Sequence, residues 1–556
     1  MKTKRQYLYN ALLLTAVTLL MRTVSVGFNV YVSNRVGAEA MGLLSLVSGV
    51  YGFATTFATS GIHLATVRTV AERLERSGGA ENKRCLFACL SYAAFFGTLA
   101  TILLFLFARP IGELLLREVR TVRALQMLAF TLLPIALTSV LNGYFTAVRR
   151  AWKNAMAQVV EQAVKISFTG YLLVVVAPKT VEGSMLAILM GGAVSESLSL
   201  LLNIVLYLAD KRHFRHADSC KKAEYDGKRI PVAAIAMPVA ISAYMRSGLL
   251  AIEHILIPRG LTAYGAGNSA ALAAYGSLHS MALPVVLYPA AILSSFASLL
   301  IPEMTEQQSI GNKIEIRYIA GRVYQMTLLF SIGVSGVMLF LSSELGGVLY
   351  DNAEVSHFIR ALAPLVPIMY LDTATDAMLK GLGQQVYSMN VNIIDALVSV
   401  ICVAIFVPRM GINGYLLTIY ISEILNAALS VTRLLHISGF RPRLLYLVVR
   451  PLLSVVGATS LSRLFFTFFP VGTTGTGWGL TLHITITALL YFALLYLTGG
   501  FGKSDARWLI GSFLPNMSNK KKKNSSGDHR KRIFSKNILH QKKTCDAVSR
   551  LTEKST

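Results

Sequence analysis

The sequence predicts an all-α polytopic membrane protein of about 14 transmembrane helices, with two six-helix lobes related by an internal repeat and two further C-terminal helices. Three observations carry this expectation. Apolar residues make up 54% of the 556-residue chain and charged residues only 15%, with a mean hydropathy of +0.55, whereas soluble domains are about 25% charged. The apolar residues come in long runs rather than in helical stripes, and runs of about 18 or more read as membrane spans. Lys and Arg gather in alternate connecting loops, the asymmetry that membrane topology imposes.

The apolar runs place the first six spans at 7–32, 42–67, 85–108, 124–147, 155–177 and 184–208. The next six fall at 232–257, 270–300, 318–342, 356–379, 387–407 and 412–433, and two more at 446–469 and 479–498. The start, MKTKRQ and then an apolar stretch, imitates a signal peptide. That stretch runs about 25 residues without a small-residue cleavage site, so it reads as an uncleaved first span. The resulting organisation is an N-lobe (1–208), a basic cytoplasmic inter-lobe loop (209–230), a C-lobe (231–435), the last two spans (446–500) and a basic cytoplasmic tail (503–556).

Orientation follows the basic residues. One side receives Lys2, Lys4 and Arg5, then Arg68, Arg73, Arg76, Lys83 and Arg84, then Arg149, Arg150 and Lys153. It also receives the seven Lys and Arg of the 209–230 loop, Arg441, Arg443 and the tail. The other side has mostly single charges, Arg35, Lys179, Arg259, Arg360 and Arg409. The exception is the third-to-fourth connection, with Arg109, Arg117, Arg120 and Arg123. Both termini are therefore expected in the cytoplasm of a cell-membrane protein. The net charge of +25 lies in loops and tail rather than on a folded face, so nucleic acid is not an expected partner. The tail, with Lys520 to Lys523, Arg530, Lys531, Arg532, Lys536, Lys542 and Lys543, reads as a solvated segment attracted to anionic membrane lipids.

Two arginines sit deep in apolar segments at matching places. Arg22 lies in LLMRTVSVGFNVYVSNR and Arg246 in SAYMRSGLLAIEHILIPR, each after a Met and each followed thirteen residues later by another arginine, Arg35 and Arg259. An arginine near the bilayer centre costs at least ~2.5 kcal/mol, so it faces a wet cavity or a partner. Two in register point to a duplicated transporter with a cationic cavity between its halves. The repeat extends further: Leu133-Pro134-Ile135 matches Val366-Pro367-Ile368, Pro178 matches Pro408, and Gly183 matches Gly414. Because six is even, the repeat is parallel, about an axis along the membrane normal.

The N-terminal stretch from LLMRTVSVGFNVYVSNR to about residue 75 resembles the stage V sporulation protein B family of polysaccharide-type exporters. LPVVLYPAAILSSFASLLIPEMTE in the second lobe resembles the Pro-rich segment and Leu-Ile-Pro-Glu ending of the same exporters. Their wider group is the multidrug/oligosaccharidyl-lipid/polysaccharide superfamily, with the MurJ-type lipid II flippases. The resemblance implies alternating access around a central cavity and a lipid-linked sugar as cargo. In MurJ-type flippases cavity arginines are thought to hold the pyrophosphate. Arg22 matches a first-span arginine of that pattern by its place before Gly27-Phe28, while a second falls on Phe28 here. The resemblance also implies that the extra pair, 446–498, guides the lipid tail.

Arg22 and Arg246 are thus the expected diphosphate ligands, because a planar guanidinium donates two hydrogen bonds at once. Each equally fits a structural pairing with an acid. Lys165 joins them as a candidate, although Glu161 lies four residues earlier on its helix face and can neutralise it. Glu253, Asp372, Asp376, Asn392 and Asp395 are candidates for coupling to Na+ or H+, since ionisable groups within spans mark ion pathways. Lys380 follows Asp376 by four residues and can pair with it, and Asn392 and Asp395 are three apart and can offer oxygens to one cation. Pro284, Pro289, Pro364 and Pro367 break the eighth and tenth spans. The five cysteines, Cys85, Cys89, Cys220, Cys402 and Cys545, are scattered and form neither a zinc pattern nor a disulfide framework. No HExxH, GxSxG, P-loop or CxxC signature occurs, so no enzyme chemistry, cofactor or metal centre is expected. The rival expectations are an ion-coupled multidrug exporter and a non-transporting scaffold for envelope enzymes.

Overall fold

Helices form wherever the apolar runs predict them, because backbone groups within a bilayer must be satisfied inside the segment. The computed structural model describes residues 2–76, 79–176, 180–214, 232–440, 445–468, 477–502 and 505. The first half comprises α1 (Lys2–Thr59), α2 (Ile62–Arg76), α3 (Gly79–Pro110), α4 (Thr121–Ala147), α5 (Ala151–Tyr171) and α6 (Val181–Phe214). The second opens with α7 (Val232–Ala263), then α8 (Asn268–Gly276), α9 (Leu283–Leu287) and α10 (Ala290–Ser309). It continues with α11 (Lys313–Phe340), α12 (Ser342–Tyr350), α13 (Ala353–Leu362), α14 (Val366–Gly381), α15 (Gln385–Met410) and α16 (Ile412–Ser438). The final pair is α17 (Arg450–Phe468) and α18 (Gly477–Leu497). Among the described residues there is no strand.

Eleven of the described segments are long and apolar enough to cross a membrane. One of these, Val17–Glu72, contains two of the expected spans, separated at Gly37, whose φ of 83° and ψ of 170° only glycine adopts readily. The fifth and tenth expected spans correspond to α5 and to α13 with α14. The observed architecture is therefore compatible with fourteen spans.

Three segments differ from expectation, each for a backbone reason. The second span ends at Thr59 rather than 67, because Ser60 (φ 43°) and Gly61 (φ 70°) leave the helical region and hand over to the separate, amphipathic α2. On its polar side Arg68 pairs with Glu72 at 3.0 Å. The eighth span is not one helix but α8, a π-helical turn over Ser277–Ala282, α9 and α10. Pro284 removes a donor just after the π turn and Pro289 caps α10. The ninth-to-tenth connection folds into α12, closed by Asp351 in the left-handed region, and Asn352 then caps α13 by accepting from the Glu354 and Val355 amides.

Two buried apolar clusters follow the two halves. One gathers Leu43, Leu46, Leu125, Leu132 and Phe145, and also takes in Ala236, Ile255 and Leu272 from the second half. The other is built on Tyr275, Leu278, Val286, Phe358 and Tyr370. The last pair is held together by Ser462 and Thr487 (2.8 Å) and packs on α11, where Tyr491 donates to the Leu329 carbonyl at 2.7 Å. The chain divides into Met1–Tyr491, which holds this bundle, and Phe492–Thr556. In the second unit the Gly502 amide donates to Asp505 at 2.8 Å. The basic tail beyond Asp505 and inter-lobe residues 215–231 lie outside the described residues.

Candidate functional site

The second span meets α7 and α8 along a seam made possible by small residues. A Cβ at Gly42 would stand 1.9 Å from the Leu272 carbonyl oxygen, and one at Gly276 would stand 2.1 Å from that of Ala38. Only glycine permits this backbone-to-backbone crossing. Further along, the Ser45 and Ser280 hydroxyls bond to each other, His254 covers Gly49, and Ser60 bonds Tyr244. The first span joins the same surface: Thr23 bonds the Tyr288 hydroxyl (2.8 Å), Asn29 donates to the Ser280 carbonyl (2.8 Å), and Asn34 donates to that of Leu349 (2.7 Å).

A charged latch bridges the two halves where the third-to-fourth connection lies. Arg120 donates to Glu118 (2.7 and 3.0 Å) and to Glu39 (2.9 Å). From the second half, Asn268 donates to Glu118 (2.7 Å) and Ser269 to Glu39 (3.1 Å). Arg259 adds a bond to the Leu114 carbonyl (2.7 Å). Burial pushes the Glu118 carboxyl up, but the Arg120 guanidinium and the Asn268 amide outweigh it and hold the group below its usual range. Arg109 and Arg123 pair with Glu113 (2.8 Å) and Glu182 (3.5 Å). Three of the four arginines that depart from the charge rule are therefore engaged in ion pairs.

The predicted ligands are placed as follows. Arg22 is exposed on α1, and its charge reaches Tyr370 of α14, in the other half. Arg246 is exposed on α7, and its charge reaches Asp395 of α15. Each arginine is therefore accessible, and each has its own local neighbourhood. Lys165 is half-buried and acts on Glu196 of α6. It makes no ion pair within 4.0 Å with Glu161 among the described residues.

The acids of the second half gather into one electrostatic cluster. Glu253 lies beside Ser399 and feels Asp395, and Asp395 accepts from Ser422. Asp372 accepts from Asn426 (3.2 Å) through Oδ2 and lies beside the Ser430 hydroxyl. Glu423 of α16 faces both Asp372 and Asp395. Asp376 is instead held by Lys380 at 2.5 Å and by Ser388, as the four-residue spacing allowed. Asn392 donates its amide nitrogen to the Ser388 carbonyl of its own helix (2.7 Å), and Asp395 accepts from Ser422. No set of three His, Cys, Asp or Glu that could hold a metal ion occurs among the described residues.

Residues 7–290 match the family of polysaccharide biosynthesis proteins. The chain belongs to that family. Within it, the chain is 26% identical over 446 residues to stage V sporulation protein B of Bacillus subtilis (strain 168), covering 78% of this chain and 85% of the relative. It is 22% identical over 258 residues to sporulation protein YkvU of the same organism, covering 45% and 56%. Among solved structures, the lipid II flippase MurJ in an inward closed conformation superposes with a TM-score of 0.64 at 14% identity, covering 87% of this chain and 98% of that one. An inward-facing multidrug resistance MATE family transporter of the MOP superfamily follows at 0.57 and 14% identity, covering 77% and 100%. These likenesses establish the all-helical fold shared with those structures, and the eleven long apolar helices make the chain a multi-pass membrane protein.

Sequence reading did not assign roles to Glu39, Glu118 and Arg120, or to the hydroxyls around the acid cluster. The one available signal for the latch was the excess of arginines in the third-to-fourth connection. Serines 399 and 422 carry no signal of their own, since hydroxyls satisfy themselves within helices throughout this chain, as Ser294 does on the Ala290 carbonyl.

Proposed function

We propose that this protein is an alternating-access flippase that moves an undecaprenyl-diphosphate-linked oligosaccharide or peptidoglycan precursor across the cytoplasmic membrane, for cell-envelope or spore-cortex synthesis. The observation that carries the reading is the pair of accessible arginines, Arg22 and Arg246, one in each half of a MurJ-like bundle. A guanidinium matches a diphosphate with two parallel hydrogen bonds, and in a low-dielectric cavity it remains charged. The stage V sporulation relative supports a role in envelope synthesis. The lobes are 1–208 and 231–435, both termini face the cytoplasm, and no covalent step is involved. In this reading the latch at Arg120 closes the outer side and opens on release.

Energy enters through the acid cluster. Asp372, half-buried beside Ser430 and Asn426 and near Asp395 and Glu423, is where a proton or Na+ binds in this reading. The same cluster and the MATE likeness favour a second reading, ion-coupled export of small cations.

One reconstitution separates the two. In proteoliposomes holding a labelled undecaprenyl-diphosphate sugar, wild type is expected to equilibrate the lipid between leaflets. Arg22→Ala and Arg246→Ala each lower the rate about tenfold or more, the loss of one charge-assisted contact pair of ~1.5–3 kcal/mol. Asp372→Asn abolishes acceleration by an ion gradient while leaving downhill flipping. Arginine variants that flip at the wild-type rate while Asp372→Asn abolishes drug efflux would replace the flippase reading with the exporter.

A further inference from the structure

Two half-buried histidines outside the acid cluster meet at the seam. His254 of α7 and His279 of the π-helical turn lie edge to face, with ring centroids 4.8 Å apart. Tyr275 of α8 and Tyr415 of α16, only 0% and 3% exposed, close over them. The Tyr275 hydroxyl bonds His254 Nδ1 at 2.5 Å, and the Tyr415 hydroxyl bonds His279 Nδ1 at 3.3 Å. Tyr275 also stacks on His279, with centroids 5.3 Å apart. The first half touches the same cluster, since a Cβ at Gly49 would stand 2.7 Å from that of His254. π-Helical turns recur at functional sites, and this one carries His279.

Hydrogen-bond accounting assigns the tautomers. A buried phenol hydroxyl needs an acceptor. Among the described residues the imidazole nitrogen is the one hydrogen-bond partner of each hydroxyl. Each Nδ1 therefore accepts, and each neutral ring carries its proton on Nε2. The kind of partner matters. A histidine ring held in place for structure commonly has its nitrogen bound to a carbonyl or carboxylate, which only accepts. A phenol hydroxyl both donates and accepts, so its bond to Nδ1 can reverse when a proton moves.

The neighbours supply an end point. Glu253 precedes His254, its charge acts on both phenols, and it lies beside Ser399 under the influence of Asp395. The titratable groups around the imidazoles are thus Glu253 from α7, Tyr275 from α8 and Tyr415 from α16, with Asp395 of α15 and Arg246 behind Glu253. The second span presents Gly49 to His254 and bonds Ser45 to Ser280, and neither residue titrates. α13, which also packs on the π turn, buries Val355, Phe358 and Ile359 and leaves His357 and Arg360 exposed.

We propose, resting on the transport reading above, that the coupling ion is a proton and that His254, Tyr275, His279 and Tyr415 relay it between the seam and Glu253 of the acid cluster. A proton arriving at a phenol oxygen frees that hydroxyl's own proton to pass to Nδ1, and the ring gives up its Nε2 proton in turn. Glu253 gains the proton as its carboxylate becomes the acid, and the donor at the seam loses one. Only O–H and N–H bonds form and break. A flip of the ring, freed once Gly49 moves away, resets the tautomer. Na+ has no such path, because it cannot pass along hydroxyls and imidazoles by exchange of hydrogen bonds.

His254→Gln and His279→Gln keep an amide oxygen for the phenol hydroxyl and remove the proton carrier, with melting checked against wild type. Tyr275→Phe, which removes only a hydroxyl, repeats the test if a Gln variant melts early. In proteoliposomes holding the undecaprenyl-diphosphate sugar, a pH gradient is expected to accelerate wild-type flipping, and an equal Na+ gradient to leave it unchanged. Each variant is expected to lose that acceleration by about tenfold or more while downhill flipping stays within about twofold. A pH-sensitive dye inside the same vesicles reads proton entry, which the variants slow by the same factor. Acceleration by Na+ and not by pH, variants that keep the pH-driven rate, or equal loss of driven and downhill flipping overturns the proposal. If wild type flips no lipid, the flippase reading fails by itself. Proton entry under a pH gradient then still decides the relay, which stands if the variants lose that entry and falls if they keep it.

Discussion

Arg120 shows how a residue with an unpromising sequence context becomes central once the chain is folded. Its guanidinium serves two carboxylates that also bind Asn268 and Ser269 of the other half. These side chains are less than one-third exposed, so the charge-assisted bonds keep most of their strength of ~1.5–3 kcal/mol. Arg120→Glu is expected to favour outer opening by about 2 kcal/mol. In a background without the five native cysteines, Ser280→Cys on the sealed seam then reacts with an external maleimide much faster in the variant than in its parent. The pH dependence has a defined sign. Glu118 is held below its usual range in the closed state, so its contribution is complete above ~4.3, the ordinary value, and is lost as pH falls through the lowered one. Labelling of Ser280→Cys relative to an exposed reference cysteine, a ratio that cancels thiolate ionisation, should stay flat from about pH 5 to 8 and rise only below ~4. At this scale Arg22 and Arg246 were legible in the sequence, because an arginine in an apolar run is conspicuous. Arg120, Glu118 and Glu39 were visible only as charges in loops, since their bonds join positions 81 and 150 residues apart.

The elements follow backbone chemistry closely. Prolines divided the eighth and tenth spans where the sequence placed them, and Gly37 separates the first two spans. The early end of the second span carried a signal in the turn-marking pair Ser60-Gly61, but the residues beyond it remain partly apolar and masked it. The contact between the second span and α8 depends on two glycines rather than on shape fitting. Gly42→Ala is expected to cost about 1–3 kcal/mol through overpacking against the Leu272 carbonyl, since neither backbone can yield independently. Gly52→Ala in the same helix meets nothing within 4 Å and should be neutral or slightly stabilising. Thermal unfolding of the two variants in detergent provides the comparison, and equal melting would remove the argument that the crossing is a tight seam.

At the scale of the bundle, one apolar cluster reaches from the first half into α7 and α8 and the other lies in the second half, and the halves meet along the second span, α7 and α8. That arrangement suits rocking of one half against the other with the latch and the glycine crossing as the parts that must separate. Removal of residues 506–556 is expected to leave flipping within about twofold while weakening adsorption to anionic vesicles, because each Lys or Arg near such a surface contributes ~1 kcal/mol. Vesicle flotation and the flipping assay on one preparation test both halves of that statement, and loss of flipping would favour a scaffold.

The chain's class, its helix positions and two arginines set within apolar runs follow from sequence alone. Long apolar runs have only one way to satisfy their backbone in a bilayer, and an intramembrane arginine cannot be silent. Which groups come together was decided by the tertiary structure. The Arg120 latch, the Gly42–Gly276 crossing, the gathering of Asp372 with Glu423 and Asp395, and the bonds of His254 and His279 to Tyr275 and Tyr415 each join residues from different helices. Local periodicity states what one helix can bury, but the rotation and crossing of its neighbour determine which face is covered and which stays open.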